Sequence, residues 1–236
     1  MDHIDLTPLV LIVLIVTIAR TAHWQLFTKR LKISYSNSPV WALFYFAFFA
    51  ALLGIAFPGY LARLFEGVSL IGYIALLFLF VVAFPATYHY LRAKVGAPEW
   101  LAKLTPDEPM LTLGERFILA KVADVAMQEF AAGMIILILS DSGVAYPAIV
   151  LSCVVLFGAA HLYIFKTSGF FWGLYYSAFG ALAGFAIPFF ILMIPGGIAY
   201  ALVLHMLFYV LSAALFAKFP KPHARMQHDL LGPVSG

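Results

Sequence analysis

Apolar residues run along this chain in long blocks that polar or Pro/Gly-rich breaks separate. The blocks cover residues 8–27, 39–57, 68–91, 112–140, 144–165, 169–194 and 198–217. An α-helix needs roughly 20 residues to cross a bilayer, so the pattern predicts seven spanning helices and an all-α, polytopic membrane bundle. The first block is apolar over 8–19 and reaches spanning length only through Arg20, His23 and Trp24. Trp24 suits the membrane interface, and Arg20 can snorkel toward headgroups. Pro58 and Gly59 end the second block, before an amphipathic segment at 60–66. Thr112, Leu113, Gly114 and Glu115 have the form of a capping box, which starts the fourth helix. Asp141, Ser142 and Gly143 close that helix, Pro188 predicts a kink in the sixth, and Pro195, Gly196 and Gly197 turn the chain into the seventh. Residues 92–110, with Pro98, Pro106 and Pro109, form the longest polar connection, and 218–236 a loose polar tail. The division is three helices and a loop over 1–111, a four-helix core over 112–217, and the tail over 218–236.

Composition sharpens this picture. The chain is 64% hydrophobic and 11% charged over 236 residues, with a mean hydropathy of +0.99. A water-soluble domain carries about a quarter charged residues, so lipid is the expected solvent and the first partner. Seven spans use about 140 residues, which leaves no room for a separate soluble domain. A net charge of +3 argues against nucleic acid as a partner, and Cys153 stands alone, so no disulfide forms within the chain. The N-terminus lacks the basic start of a signal peptide, so the first helix is expected to be retained. Ten loop and tail Lys and Arg residues fall on one side of the predicted bundle and only Arg63 on the other. The positive-inside rule then puts the N-terminus outside and the C-terminus in the cytoplasm. Short loops without a cleavable signal fit a prokaryotic inner membrane.

Ionisable groups inside spans are costly and are functional candidates by default. The fourth helix carries Lys121, Asp124, Gln128 and Glu129, the fifth His161, and the seventh His205 with Tyr209 one turn later. Asp124 and Gln128 share a helix face, as do His205 and Tyr209, each pair being i and i+4. A carboxylate and two imidazoles in one pocket suit general-base activation of water with donors for an oxyanion. The same set suits a proton-coupled small transporter, and a non-catalytic scaffold could use it to hold helices together. Glu129 could pair with Lys121, Arg20 or a histidine, and Lys121 with Asp124 could form an intrahelical ion pair near the cytoplasmic interface. Gly180 and Gly184 form a GxxxG that predicts close helix packing.

The segment Phe157, Gly158, Ala159, Ala160, His161 resembles the FxxxH motif of the CPBP family, the CAAX-protease and bacteriocin-processing intramembrane proteases. That family's other motifs, EExxxR before it and HxxxN after it, find counterparts in order at Gln128, Glu129 and Gly133 and at His205 and Tyr209. The resemblance spans residues 112–217. It implies a glutamate-dependent endopeptidase acting on a peptide or a membrane-anchored protein segment, with a membrane-protein partner as a further option. Carried over, Glu129 is the base, His161 positions the water and His205 donates to the oxyanion. Gln128, Gly133 and Tyr209 depart from the pattern, and Gln128 cannot take a proton. A divalent metal is a cofactor that the resemblance leaves open, although the chain has no HExxH signature. Counting helical rise places His161 near the cytoplasmic end of its helix and His205 roughly 10 Å from the outer end of its own.

Overall fold

The computed structural model describes residues 6–33, 38–95, 115–168 and 170–218. All regular structure among them is helical, because a backbone in hydrocarbon must satisfy its own N–H and C=O groups. The order is α1 (Thr7–Ala22), α2 (Pro39–Ala56), α3 (Pro58–Leu64), α4 (Leu70–Phe78), α5 (Phe84–Val95), α6 (Glu115–Asp141), α7 (Tyr146–Ala159), α8 (Tyr163–Ser168), α9 (Phe170–Met193) and α10 (Gly197–Lys218). Six helical stretches are long and apolar enough to span, and the apolar part of α10, Gly197–Ser212, is a shorter seventh. The chain is an integral membrane helix bundle.

Prolines at the first turns of α1, α2, α3 and α7 cost no hydrogen bond there and preset the helical φ. Ser69 caps α4 by accepting from the Gly72 amide at 3.1 Å. The expected capping residue Thr112 and the tail beyond residue 218 lie outside the described residues. Between α1 and residue 31 the first span continues as a π-helical segment, His23–Arg30, and a second one, Leu79–Ala83, joins α4 to α5. α9 runs through Pro188 without a break.

The centre of the bundle is α6. It packs against α1, α2, α3, α5, α7, α9 and α10, and its membrane-crossing part is mostly buried, whereas the other spans turn most of their surface outward to lipid. Two small-residue contacts fix its neighbourhood. A Cβ at Gly133 would fall 2.5 Å from Leu64 Cδ2, so α3 leans on the one residue of α6 that lacks a side chain. At one end of the bundle Arg63 clasps Asp141 with two hydrogen bonds of 2.5 and 3.0 Å, and the Gly196 amide donates to the Glu66 carbonyl at 2.8 Å.

One expectation fails in α7. The predicted helix over 144–165 stops at Ala159, and a turn carries the chain into α8. His161 itself explains the stop: its Nδ1 donates to the Phe157 carbonyl at 2.8 Å, the acceptor that its own amide would have used in a continuing helix. That amide bonds Gly158 instead.

The GxxxG expectation holds. Cβ atoms at Gly180 and Gly184 would fall 2.5 Å from the backbone of Phe157 and Cys153, so α7 and α9 touch through their backbones. Gly184→Ala should therefore destabilise the bundle by about 1–3 kcal/mol. Gly59→Ala, with nothing within 4 Å of the added carbon, should not. Thermal unfolding of both variants in detergent checks the contrast.

Candidate functional site

The site begins with three charges on α6. Lys121, Asp124 and Glu129 are 4%, 1% and 2% exposed, so all are removed from solvent inside a helix that lipid surrounds. Such groups persist only when paired. Lys121 donates to Asp124 at 2.5 Å, as the i, i+3 spacing predicts. The pair is buried in the bundle, and a third member joins it. Arg20 of α1 places Nη1 3.7 Å from Asp124 Oδ1 and Nη2 3.4 Å from the Tyr163 hydroxyl. The snorkelling arginine thus also turns inward to a carboxylate. Gln128 donates to Asp124 Oδ1 at 2.8 Å, confirming their shared face.

Glu129 has one of its three expected partners. His205 Nδ1 lies 2.6 Å from Glu129 Oε1, joining α6 to α10. A carboxylate only accepts, so Nδ1 carries the hydrogen of this bond. Glu129 Oε2 is buried and has no hydrogen-bond partner among the described residues. Tyr209 stacks on His205 with ring centroids 5.4 Å apart and planes 15° from parallel. Above the other part of this layer the Lys121 ammonium sits 4.5 Å from the Tyr209 ring centroid, a cation–π contact in a dry environment. The two ends of α6's charge set therefore communicate through Tyr209.

His161 approaches this group from α9's side. Its ring packs 6.3 Å from that of Tyr176, Tyr176 meets Phe208 edge-on at 5.9 Å, and Phe208 abuts Tyr209 at 5.2 Å. It is within electrostatic reach of His205, Arg20 and Lys121. No hydrogen bond joins it to Glu129 or His205 among the described residues. With Nδ1–H held by Phe157, its Nε2 is the acceptor. Three rings, Tyr176, Phe208 and Tyr209, lie in succession between His161 and His205.

His23 is a site residue that the sequence reading assigned elsewhere, and Arg20, expected at the interface or as a partner of Glu129, meets Asp124 instead. His23 is 6% exposed in the π-helical segment, its ring against Trp41, Tyr45 and Phe46 with centroids 5.9, 5.8 and 5.0 Å away, within electrostatic reach of Asp124. The available signal was an ionisable pair at i and i+3 inside an apolar block. Gly133, at the position where the resembled motif has arginine, is filled by Leu64, and cations reach α6 from Lys121 and Arg20 instead.

Among the described residues no three His, Cys, Asp or Glu side chains converge into a group that could hold a divalent metal. The chain matches no protein-family model, and neither the curated proteins nor the solved structures yield a match.

Removing Asp124 should strand two cations in the bundle. Asp124→Ala is expected to cost about 3–5 kcal/mol, against less than about 1 kcal/mol for Arg63→Ala, whose pair is more than two-fifths exposed at both ends. Chemical or thermal unfolding of the two variants measures the difference.

Proposed function

We propose that this chain is an intramembrane endopeptidase of the CAAX-protease and bacteriocin-processing type, in which Glu129 activates water. The single observation that carries the reading is the Glu129 carboxylate: Oε1 is pinned by His205, while Oε2 is buried without a hydrogen-bond partner among the described residues. A general base needs that arrangement, one oxygen fixed so that the other presents its lone pairs in a set direction. Water held by Glu129 Oε2, with His161 in the water-positioning role that the resemblance implies, gives up a proton to the glutamate as its oxygen adds to the scissile carbonyl carbon. The C–N bond then breaks, the glutamate's proton goes to the departing amine, and the products are a carboxylic acid and an amine. In this reading the Tyr209 hydroxyl donates to the oxyanion, while His205, its Nδ1–H engaged with Glu129, orients that carboxylate.

The substrate in this reading is a peptide or a membrane-anchored protein segment. The reading includes a prokaryotic inner membrane with the N-terminus outside and the C-terminus cytoplasmic, supported by the ten-to-one distribution of loop Lys and Arg. A second reading, a non-catalytic scaffold derived from such a protease, is favoured by one observation. Gln128, at the first glutamate position of the resembled motif, hydrogen-bonds Asp124 and has no proton-accepting carboxylate.

The test is cleavage of a prenylated and unprenylated peptide library by purified protein in liposomes, read by mass spectrometry. Wild type should cut peptides, and Glu129→Gln, folded to the same thermal midpoint, should lose turnover by at least about 100-fold. Full activity in Glu129→Gln would end the assignment. Failure of folded wild type to cut any peptide, together with co-purification of a membrane protein, would support the scaffold.

A further inference from the structure

The buried cation at Lys121 has no role in the water-activating step, yet it stands two contacts from it. Its ammonium is 4% exposed, bonded to Asp124 at 2.5 Å and seated over the Tyr209 ring at 4.5 Å. That ring, itself 6% exposed, lies flat against His205, which holds Glu129. Asp124 is in turn held by Gln128 and faced by Arg20 from α1. Asp124 joins α6 to α1 through Arg20, whereas the Lys121–Asp124 contact itself, at i and i+3 on one helix, joins no two helices. Across helices the ammonium meets Tyr209, at its ring and through a hydrogen bond to its hydroxyl. A cation over a ring fixes that ring's plane by its quadrupole, and the attraction grows when water is excluded.

We infer that Lys121 is a positioning residue, anchored by Asp124 and Arg20, that fixes the Tyr209 ring and through it the plane of the His205 imidazole. The inference rests on the proposed peptidase reading for its kinetic consequence alone. Without the ammonium, the Tyr209 ring is free to tilt, the His205 plane follows, and the Nδ1–H bond to Glu129 loses its single orientation. The first helix enters the site in the same way: Arg20 steadies the carboxylate that steadies Lys121, so the N-terminal three helices, which carry none of the resembled motifs, contribute to the geometry of the dyad.

Lys121→Met alone strands Asp124 in the bundle and endangers folding, so the decisive variant is Lys121→Met with Asp124→Asn. It removes one charge of each sign and leaves Gln128 an acceptor at position 124. Two readouts apply in full-length protein in lipid nanodiscs: steady-state peptide cleavage, and 15N NMR of the histidine rings with the His205 signals assigned by their loss in His205→Asn. The inference expects a wild-type thermal midpoint, kcat lowered about 10- to 100-fold at unchanged KM, and His205 nitrogen signals shifted from the Nδ1–H form toward a mixture of tautomers. Lys121→Arg, which keeps the cation over the ring, should recover most of the turnover and the wild-type spectrum. A purely structural role predicts that the charge-neutral double variant behaves as wild type in both readouts, and that result overturns the inference. Should folded wild type cleave no peptide, the peptidase reading falls, and the His205 spectra decide this point by themselves: shifted signals support it and unchanged signals overturn it.

Discussion

Hydrocarbon offers Lys121, Asp124 and Glu129 no water, and that constraint organises the molecule. One helix carries all three charges, so α6 can only sit where other helices bring counter-charges and hydrogen-bond partners, at the centre of the bundle. α1 brings Arg20 to Asp124, and α10 brings His205 to Glu129. The remaining spans can stay largely lipid-facing because they carry no such obligation. Counting Arg20 and Lys121 against Asp124 and Glu129, the four charges balance, which is the condition under which a buried ionic cluster is tolerated.

The same compensation shapes the chemistry. Asp124 is the more heavily engaged carboxylate, with Lys121, Arg20 and Gln128 around it, whereas among the described residues Glu129 is bonded by His205 alone and its Oε2 is left over. Two carboxylates five residues apart on one helix are thereby given different work: one is a fixed hub, the other retains an acceptor. The aromatic layer of Tyr209, Phe208 and Tyr176 connects the hub to His205 and, further out, to His161. The rings transmit orientation here by stacking, and Tyr176 and Tyr209 add two buried hydroxyls to the layer.

The number and approximate ends of the helices were legible in the sequence because lipid forces backbone hydrogen bonds inward and leaves long apolar blocks as a trace. The pairing of Lys121 with Asp124, the shared face of Asp124 and Gln128, and the backbone contact at Gly180 and Gly184 were legible because helical spacing alone fixes them. What escaped was azimuth and tertiary contact. Arg20 reads as interfacial from its depth, and nothing in a linear block says that it turns toward α6. The π-helical turn around His23 depends on Trp41, Tyr45 and Phe46 from another helix. The stop after Ala159 has no Pro or Gly-rich breaker; it follows from a side chain taking its own helix's carbonyl. Selection of His205 over Lys121 and Arg20 as the partner of Glu129 likewise required knowing which face of α10 meets α6.

The central claim is that Glu129 and His205 act as one unit. A double-mutant cycle on peptide turnover tests it most directly, with Glu129→Gln, His205→Ala and the two combined, each verified as folded. The account predicts that the combined variant is no slower than the slower single variant, since either change alone already dismantles the unit. Losses that multiply across the two sites would show that they work independently and would contradict the account.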